Sequence, residues 1–319
     1  MTDNTVDVLA WGALNPSLMA NLQQHYRVHN RAEITDLQAW GDTHGAKITA
    51  VITSGVFGTE IEVLERLPNL KVVCSFGVGY DAIDIAYLAD RGIPVSNTPD
   101  VLNNAVAETA MALTLCLTRR ISEAERFVRA GAWPTGKFPL GRQLTGKTCG
   151  IVGLGKIGKT IALRAAAFEM NIAYYRRGEP YAGIDYTHYN DLAELARAAD
   201  YLVVIVPGGA ATHHLIDAEV LRALGPQGCL VNVARGPVVD QQALVAALQD
   251  GTLGGAALDV LEGEPEVPAA LRASPQVVLA PHIGSATGAT RMAMARLAMA
   301  NLAAGMAETP LHTPVPECC

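Results

Sequence analysis

The segment TCGIVGLGKIG at residues 148–158 is the part of this chain that indicates its fold most clearly. It begins as an apolar run typical of a buried strand and ends in three glycines spaced as G-x-G-x-x-G, namely Gly153, Gly155 and Gly158. At a strand-to-helix turn, such glycines permit a tight turn, the approach of a pyrophosphate and close helix–strand packing. The alternative is a glycine-rich turn without a ligand. The pattern predicts a dinucleotide-binding turn, which the intervening residues Leu154, Lys156 and Ile157 complete.

The rest of the chain extends this α/β pattern in both directions. Short β-rich runs alternate with helical stretches through the first hundred residues, and a second series follows the glycine turn. The alternation predicts a Rossmann-type doubly wound parallel sheet inserted into a second, flavodoxin-like α/β domain. The dinucleotide-binding domain is expected at residues 100–285, and a discontinuous substrate domain at 1–99 plus 286–319. One long helix is predicted from Asn104 to about Arg129.

The composition argues against several classes of function. The 319 residues carry a net charge of −7 and contain no basic run, so nucleic-acid binding is not expected. No apolar run reaches the ~20 residues of a membrane span, and Met1-Thr2-Asp3-Asn4 does not resemble the start of a secretion signal. Four of the six cysteines lie in apolar segments, whereas Cys318-Cys319 is expected in an exposed tail. Reduced core cysteines predict a cytoplasmic protein.

The residues after the next predicted strand indicate which cofactor binds. An NAD-dependent enzyme usually places Asp or Glu there, to hold the ribose 2′-hydroxyl. This chain has Arg176 and Arg177 instead, and its nearest acid, Glu179, comes two residues later. Arginine forms charge-assisted hydrogen bonds with a 2′-phosphate, which a carboxylate would repel. The sequence therefore predicts NADP(H), and the alternative is that both arginines are ordinary solvated loop residues.

Three charged residues follow predicted strands in the second half of the chain. Arg235 follows VNVA, Glu264 stands in DVLEGEP, and His282 stands in PHIGS. Since the carboxyl ends of parallel strands collect at one edge, all three side chains are expected at a common cleft between the domains. The plainer alternatives are an ion-pair arginine, a loop acid and a capping or buried histidine.

These residue types suit the reduction of a 2-keto acid. Its carboxylate and adjacent carbonyl match the planar fork of Arg235, which can orient the one and polarise the other. The carbonyl oxygen gains negative charge as hydride arrives, and His282 can donate the proton that it needs. Glu264 beside the imidazole would keep it protonated and correctly turned.

These motifs together resemble the D-isomer-specific 2-hydroxyacid dehydrogenase family over essentially the whole chain. The glycine turn, the segment NVARGPVVD at 232–240, the segment DVLEGEP at 259–265 and PHIGS at 281–285 follow the family's order and spacing. The resemblance is strongest to the NADPH-preferring branch that reduces glyoxylate, hydroxypyruvate and hydroxyphenylpyruvate, which also has an arginine at the position of Arg177. It implies a D-configured product and the stated roles of Arg235, Glu264 and His282.

The resemblance also implies binding residues that the chemistry alone does not indicate. Backbone amides of Val78 and Gly79 would bind the substrate carboxylate, together with Arg235 and His282. Further cofactor contacts would come from Val106, Val206, Pro207, Thr212, Ala234, Asp259 and Gly284. In a homodimer, the resemblance implies that the loop at Trp133 reaches the partner subunit's site, and the alternative is that Trp133 packs the long helix onto the core. The long apolar helix from Asn104 is the candidate dimer interface.

Several alternatives remain open at this point. A nucleotide-sensing corepressor or scaffold on the same fold would keep the same residues, although the chain has no basic arm. Glyoxylate and hydroxypyruvate are the expected substrates, and bulkier 2-keto acids are the alternative. No metal is expected, because adjacent His213 and His214 have no acidic neighbour in the sequence.

Overall fold

A computed structural model describes residues 6–12 and 14–318 of the chain. It divides them into two compact units: the residues up to Leu102 with those from Thr287 onward, and Asn103–Ala286. Two predictions concern residues outside the described ranges. These residues are Met1–Asn4, which do not resemble a secretion signal, and Cys319 of the predicted tail. Among the residues described, none of the helices combines the length and apolar character that a bilayer span requires.

The first unit is a parallel sheet of five strands within the described residues. The strand order is β2-β1-β3-β4-β5. Its elements are β1 Asp7–Ala10, α1 Pro16–His25, β2 Arg27–Asn30, α2 Leu37–His44, β3 Ile48–Thr53, α3 Ile61–Leu64, β4 Val72–Ser75, α4 Ile85–Asp90, β5 Val95–Ser96 and α12 Gly288–Met306. The last helix, α12, packs on β3 and β4. Gly305 permits this packing, because a Cβ there would lie 2.4 Å from the side chain of Val72.

The second unit, which the structure describes without a gap, is a seven-stranded parallel sheet with helices on both faces. The strand order is β12-β11-β10-β9-β6-β7-β8. Its elements are α5 Asn103–Arg119, α6 Ile121–Arg129, β6 Thr148–Val152, α7 Lys156–Ala167, β7 Asn171–Tyr175, β8 Thr187–Tyr189, α8 Leu192–Ala198, β9 Tyr201–Val204, α9 Ala218–Leu224, β10 Cys229–Asn232, α10 Gln241–Gln249, β11 Gly255–Leu258, α11 Ala269–Ala273 and β12 Val277–Leu279. The central strands β9, β10 and β11 are buried along their whole length, as is usual for a sheet covered on both faces.

The predicted fold class, two parallel α/β sheets with one inserted into the other in sequence, is confirmed. The start of helix α1 is an example of a feature that local sequence signals predict correctly. The Asn15 side chain caps this helix by accepting a hydrogen bond from the Ser17 N–H, and Pro16 occupies its first turn. The strands β2 and β8 and the short helices α2 and α11 were not predicted from the sequence pattern. Both missed strands lie at the edge of a sheet, where a strand is half exposed and lacks the apolar run that marks a buried one.

The prediction of one long helix from Asn104 to Arg129 is wrong. The chain forms two helices, α5 and α6, because Arg120 adopts a left-handed conformation with φ +56°. The Arg120 guanidinium is bound by Glu123 at 2.6 Å and lies 5.4 Å from the centroid of the Phe138 ring. These contacts offset the cost of a left-handed conformation at a non-glycine residue.

Three of the four cysteines predicted in the core are fully buried, and Cys116 is partly exposed. Burial raises the pKa of Cys74 and of Cys149 to about 12, and that of Cys229 to about 11. These thiols are therefore protonated near neutral pH and are poor nucleophiles.

Candidate active site

The glycine turn between β6 and α7 has the geometry that a dinucleotide needs. Gly153 adopts φ +104°, and a Cβ at this position would lie 2.5 Å from the Ile205 carbonyl oxygen. A Cβ at Gly158 would lie 2.1 Å from the Gly153 carbonyl oxygen, so helix and strand approach closely only without one. Gly155 is the N-cap residue of α7, borders open space, and provides no side-chain cap for the helix start. These features fit a pyrophosphate bound at the helix N-terminus.

The two arginines at the end of β7 are held by aromatic side chains. The Arg176 guanidinium lies 4.0 Å from the centroid of the Tyr181 ring, and Arg177 Nε donates to the Tyr175 hydroxyl at 3.0 Å. Glu179, the nearest acid in sequence, is exposed. This end of the strand therefore presents positive charge where an NAD enzyme would present a carboxylate.

Arg235 lies just beyond the end of β10, in a segment braced by Asn232. The buried Asn232 side chain accepts from the Ala234 N–H and donates to the Arg235 carbonyl oxygen, both at 3.0 Å. The Arg235 guanidinium donates to the Ala234 carbonyl oxygen at 2.8 Å. Asn232 therefore fixes the backbone from which the arginine side chain extends.

Glu264 and His282 form a direct pair, although they follow different strands. Glu264 Oε1 lies 2.6 Å from His282 Nδ1. Burial alone would raise the pKa of Glu264. The hydrogen bond to His282, the charge of His282, the Leu261 N–H and the charge of Arg235 outweigh burial, so this pKa lies below its usual value. Glu264 is thus a carboxylate that orients an imidazole.

Asp259 anchors the loop that carries the histidine. Its two carboxylate oxygens accept from the N–H groups of Ile283 and Gly284 at 2.7 and 2.8 Å, and its carbonyl oxygen accepts from the His282 N–H at 2.8 Å. His282 itself adopts a left-handed conformation with φ +54°. The sequence analysis gave Asp259 only a cofactor contact and missed this positioning role.

The remaining predicted cofactor residues lie along the carboxyl edge of the same sheet. Val106, Asp259 and Gly284 lie close together. A Cβ added to Gly284 would lie 2.9 Å from Asp259 Oδ2 and 3.6 Å from a Val106 methyl carbon. Val206 adjoins Gly153 in the same way, at 2.9 Å. The other predicted contacts are the buried residues Leu154 and Ala234 and the exposed Pro207, whose carbonyl oxygen accepts from the Thr212 hydroxyl at 2.7 Å.

Val78 and Gly79 belong to the first unit, in the loop after β4. Asn97 donates to the Val78 carbonyl oxygen at 2.8 Å, and Ser75 donates to the Gly79 carbonyl oxygen at 2.9 Å. Within the described part of the chain, the N–H groups of Val78 and Gly79 have no hydrogen-bond acceptor. The loop is therefore fixed through its carbonyl groups, and two amide donors remain for a ligand.

Gln241 is a further residue that the sequence analysis missed. Its side-chain amide donates to the Glu262 carbonyl oxygen and accepts from the Glu262 N–H, both at 3.2 Å. Glu262 lies two residues before Glu264, so Gln241 connects the loop that carries Glu264 to the start of α10. The family-like segment at 232–240 ends directly before Gln241. Nothing in its sequence pattern indicates that Gln241 would bind the backbone of Glu262.

Comparisons with known proteins identify the family. Residues 111–284 match the model of the D-isomer specific 2-hydroxyacid dehydrogenase NAD binding domain. A hydroxyphenylpyruvate reductase of Plectranthus scutellarioides is 47% identical, over 84% of this chain and 85% of that protein. A glyoxylate/hydroxypyruvate reductase A of Arabidopsis thaliana is 46% identical, over 86% and 87%.

A solved structure extends the similarity to the full length. The NADPH-dependent glyoxylate/hydroxypyruvate reductase from Sinorhizobium meliloti, crystallised with NADP and malonate, superimposes with a TM-score of 0.92. It is 41% identical, with 98% of this chain and 97% of that chain covered. The chain belongs to the D-isomer specific 2-hydroxyacid dehydrogenase family.

Proposed function

We propose that this chain uses NADPH to reduce a small 2-keto acid to the D-2-hydroxy acid. The observation that carries the proposal is the 2.6 Å contact between Glu264 and His282, at the same sheet edge as Arg235 and the glycine turn. A carboxylate-oriented imidazole beside a nucleotide site is suited to protonate a carbonyl oxygen during reduction.

The residues of the chain orient and protonate the substrate. NADPH, when bound, supplies the hydride that adds to the carbonyl carbon. Arg235 binds the substrate carboxylate and polarises the adjacent carbonyl, with the amide donors of Val78 and Gly79 as further carboxylate ligands. His282 Nδ1 faces Glu264, so Nε2 is the nitrogen that gives a proton to the oxygen. Glu264 stabilises the imidazolium before that transfer.

NADPH is proposed over NADH because of the end of β7. Arg176 and Arg177 occupy the position of the acid that would hold an NAD ribose. The similar Sinorhizobium meliloti enzyme was crystallised with NADP, which supports the same choice.

Glyoxylate or hydroxypyruvate is the proposed substrate. The names of two similar proteins, from Arabidopsis thaliana and Sinorhizobium meliloti, include both acids. A bulkier 2-keto acid is the second candidate, because a relative of 47% identity is a hydroxyphenylpyruvate reductase. The cytoplasmic location likewise remains a prediction from the cysteine positions.

Initial rates of NADPH and NADH oxidation test the proposal, measured with glyoxylate, hydroxypyruvate, pyruvate and 4-hydroxyphenylpyruvate. Turnover with NADPH and one of these acids supports it and identifies the substrate class. A preference for NADH would contradict the cofactor assignment alone. Binding of NADPH without turnover of any acid would contradict the enzymatic proposal and favour a nucleotide-sensing corepressor or scaffold.

Glu264→Gln is expected to lower turnover by roughly 10-fold and to move the pH profile of reduction. The contacts with His282 help to hold the pKa of Glu264 below its usual value. A neutral amide at position 264 removes the negative charge that stabilises the imidazolium, so the pH profile of reduction should move to lower pH. The measurement is kcat against pH with NADPH and the preferred acid, and Glu266→Gln, an exposed neighbour, is the control. An unchanged profile would argue against the pair.

A homodimer is proposed through the region of α6. Helix α5, predicted as the interface, has about half of its residues buried within the single chain, among them Val106, Met111 and Leu113. Exposed apolar side chains lie instead in α6 and the segment after it, where Trp133 is 69% and Leu140 is 95% exposed. Such a run of exposed apolar residues marks an interaction surface, and a second copy is its proposed occupant.

Light scattering should give twice the mass of one chain. Trp133→Ser with Leu140→Ser should shift the protein toward the monomer. Val56→Ser, which changes an exposed apolar residue of the first unit, should leave the mass unchanged. A monomeric wild-type protein would contradict the dimer.

A further inference from the structure

Two histidines and a carboxylate meet outside the groups used in the proposed reaction. His213 and His214 precede α9, and Glu262 follows β11. Each offers one ligand atom, and the three atoms lie within 4.8 Å of one another. In the folded chain the histidine pair thus has an acidic neighbour, Glu262, that is distant in the sequence. The contact between His214 and Glu262 could not be predicted from the sequence, because Glu262 lies 48 residues beyond His214.

We propose that His213, His214 and Glu262 bind a divalent transition-metal ion of the zinc class. Imidazole nitrogen and carboxylate oxygen are ligands that such ions prefer. Tetrahedral coordination at ~2.0–2.2 Å separates neighbouring ligand atoms by about 3.3 Å. His214 Nε2 and Glu262 Oε1 lie 3.3 Å apart, the separation that two ligands of one ion require. Water would complete the coordination at this partly exposed site.

Neighbouring groups add negative charge near His214 and hold the backbones of both partly buried ligands. Asp240 Oδ2 lies 4.0 Å from His214 Nδ1, the nitrogen opposite the one facing Glu262. This distance is that of an ion pair and not of a hydrogen bond, so Asp240 contributes negative charge near the proposed ion without fixing the ring. The backbone of His214 is held by its N–H, which donates to the Pro237 carbonyl oxygen at 2.8 Å. Gln241 holds the backbone of Glu262 through two hydrogen bonds.

His213 has to turn before it can bind the same ion. The two imidazole rings stack with centroids 3.9 Å apart and planes inclined by 24°. A metal–nitrogen bond lies in the plane of its ring, so nearly parallel rings cannot both point at one ion. His213 is exposed, whereas His214 is partly buried and fixed. We expect His214 and Glu262 to form the preformed half of the site and His213 to close on the bound ion.

Zinc titration of the metal-free chain tests the site without measuring activity. Cys318→Ser with Cys319→Ser serves as the background for all proteins, because a terminal cysteine pair would itself bind zinc. Calorimetry should show one Zn²⁺ per chain, with an affinity that falls as the pH is lowered and the histidines are protonated. His214→Gln and Glu262→Gln should each weaken binding by at least about 10-fold, and Asp240→Asn, which keeps the helix cap and removes only a nearby charge, should weaken it less.

His25→Gln and Glu266→Gln are the matched controls, because both change exposed residues of the same types elsewhere. They should bind zinc like the background protein. His213→Gln changes the exposed ligand and provides a variant with little risk to folding, and circular dichroism checks the fold of each protein. Absence of zinc binding in the background protein, or equal binding by the three ligand variants, would overturn the proposal. Neither result bears on the reductase reaction, since the ligands lie outside the Arg235, Glu264 and His282 set.

Discussion

Alanine at His282 or at Arg235 is expected to lower the turnover of the 2-keto acid by orders of magnitude while NADPH binding survives. For His282→Ala the loss should be roughly 10²- to 10⁴-fold, the usual contribution of a positioned general acid. For Arg235→Ala it should be about 10²- to 10³-fold, because a fixed donor to a developing oxyanion is lost. NADPH binding should survive because the glycine turn and the end of β7 are unchanged.

The His282→Ala and Arg235→Ala variants are expected to differ in how kcat and the KM for the acid change. Loss of His282 removes a group needed mainly in the transition state, so kcat should fall more than the KM for the acid rises. Loss of Arg235 also removes a ligand of the bound carboxylate, so KM should rise as well. Steady-state kinetics with NADPH and the preferred acid, combined with fluorescence titration of NADPH, separates these effects.

Two variants of the same residue types serve as controls. His25→Ala and Arg222→Ala change exposed positions in α1 and α9, and both should turn over like the wild-type protein. Near-normal turnover in both His282→Ala and Arg235→Ala would remove the proposed mechanism.

Loss of Arg176 or Arg177 is expected to weaken the use of NADPH selectively. A hydrogen bond to a charged group contributes about 1.5–3 kcal/mol, which corresponds to a roughly 10- to 150-fold rise in the KM for NADPH. The KM for NADH should change little, since its ribose has no phosphate. Rates with both cofactors at a fixed, saturating acid concentration give the two values.

The two arginines should not contribute equally. Arg177 Nε is engaged by the Tyr175 hydroxyl, whereas the Arg176 guanidinium carbon lies over the Tyr181 ring, 4.0 Å from its centroid. A guanidinium on an aromatic face keeps its N–H groups free at the edge, so Arg176→Ala should have the larger effect. Arg197→Ala, an exposed position in α8, is the control. Equal losses with NADPH and NADH would contradict the proposed contact with the 2′-phosphate.

The sequence supported the fold class and the family because their signals are local. The glycine turn needs only a strand, three glycines and a helix start, all within residues 148–158. Arg235, Glu264 and His282 each stand shortly after a strand, and a parallel sheet brings such positions to one edge. Local patterns and the topology rule together were enough to select these three residues.

The positioning contacts could not be predicted in the same way. Asp259 holds the N–H groups of Ile283 and Gly284, and Gln241 holds the backbone of Glu262. These bonds join loops that follow different strands, and their partners depend on the exact conformation of each loop. The contact between His214 and Glu262 could not be predicted for the same reason. The break between the helices at Arg120 depends on the contacts of this residue with Glu123 and Phe138.

The most direct test of the account is the stoichiometry of one reaction. The purified chain is incubated with NADPH and an excess of glyoxylate or hydroxypyruvate, and the hydroxy acid formed is quantified, by chiral chromatography for the second acid. The account predicts one glycolate or one D-glycerate for each NADPH oxidised, and loss of product with His282→Ala. NADPH oxidation without a hydroxy acid, or formation of L-glycerate, would contradict it.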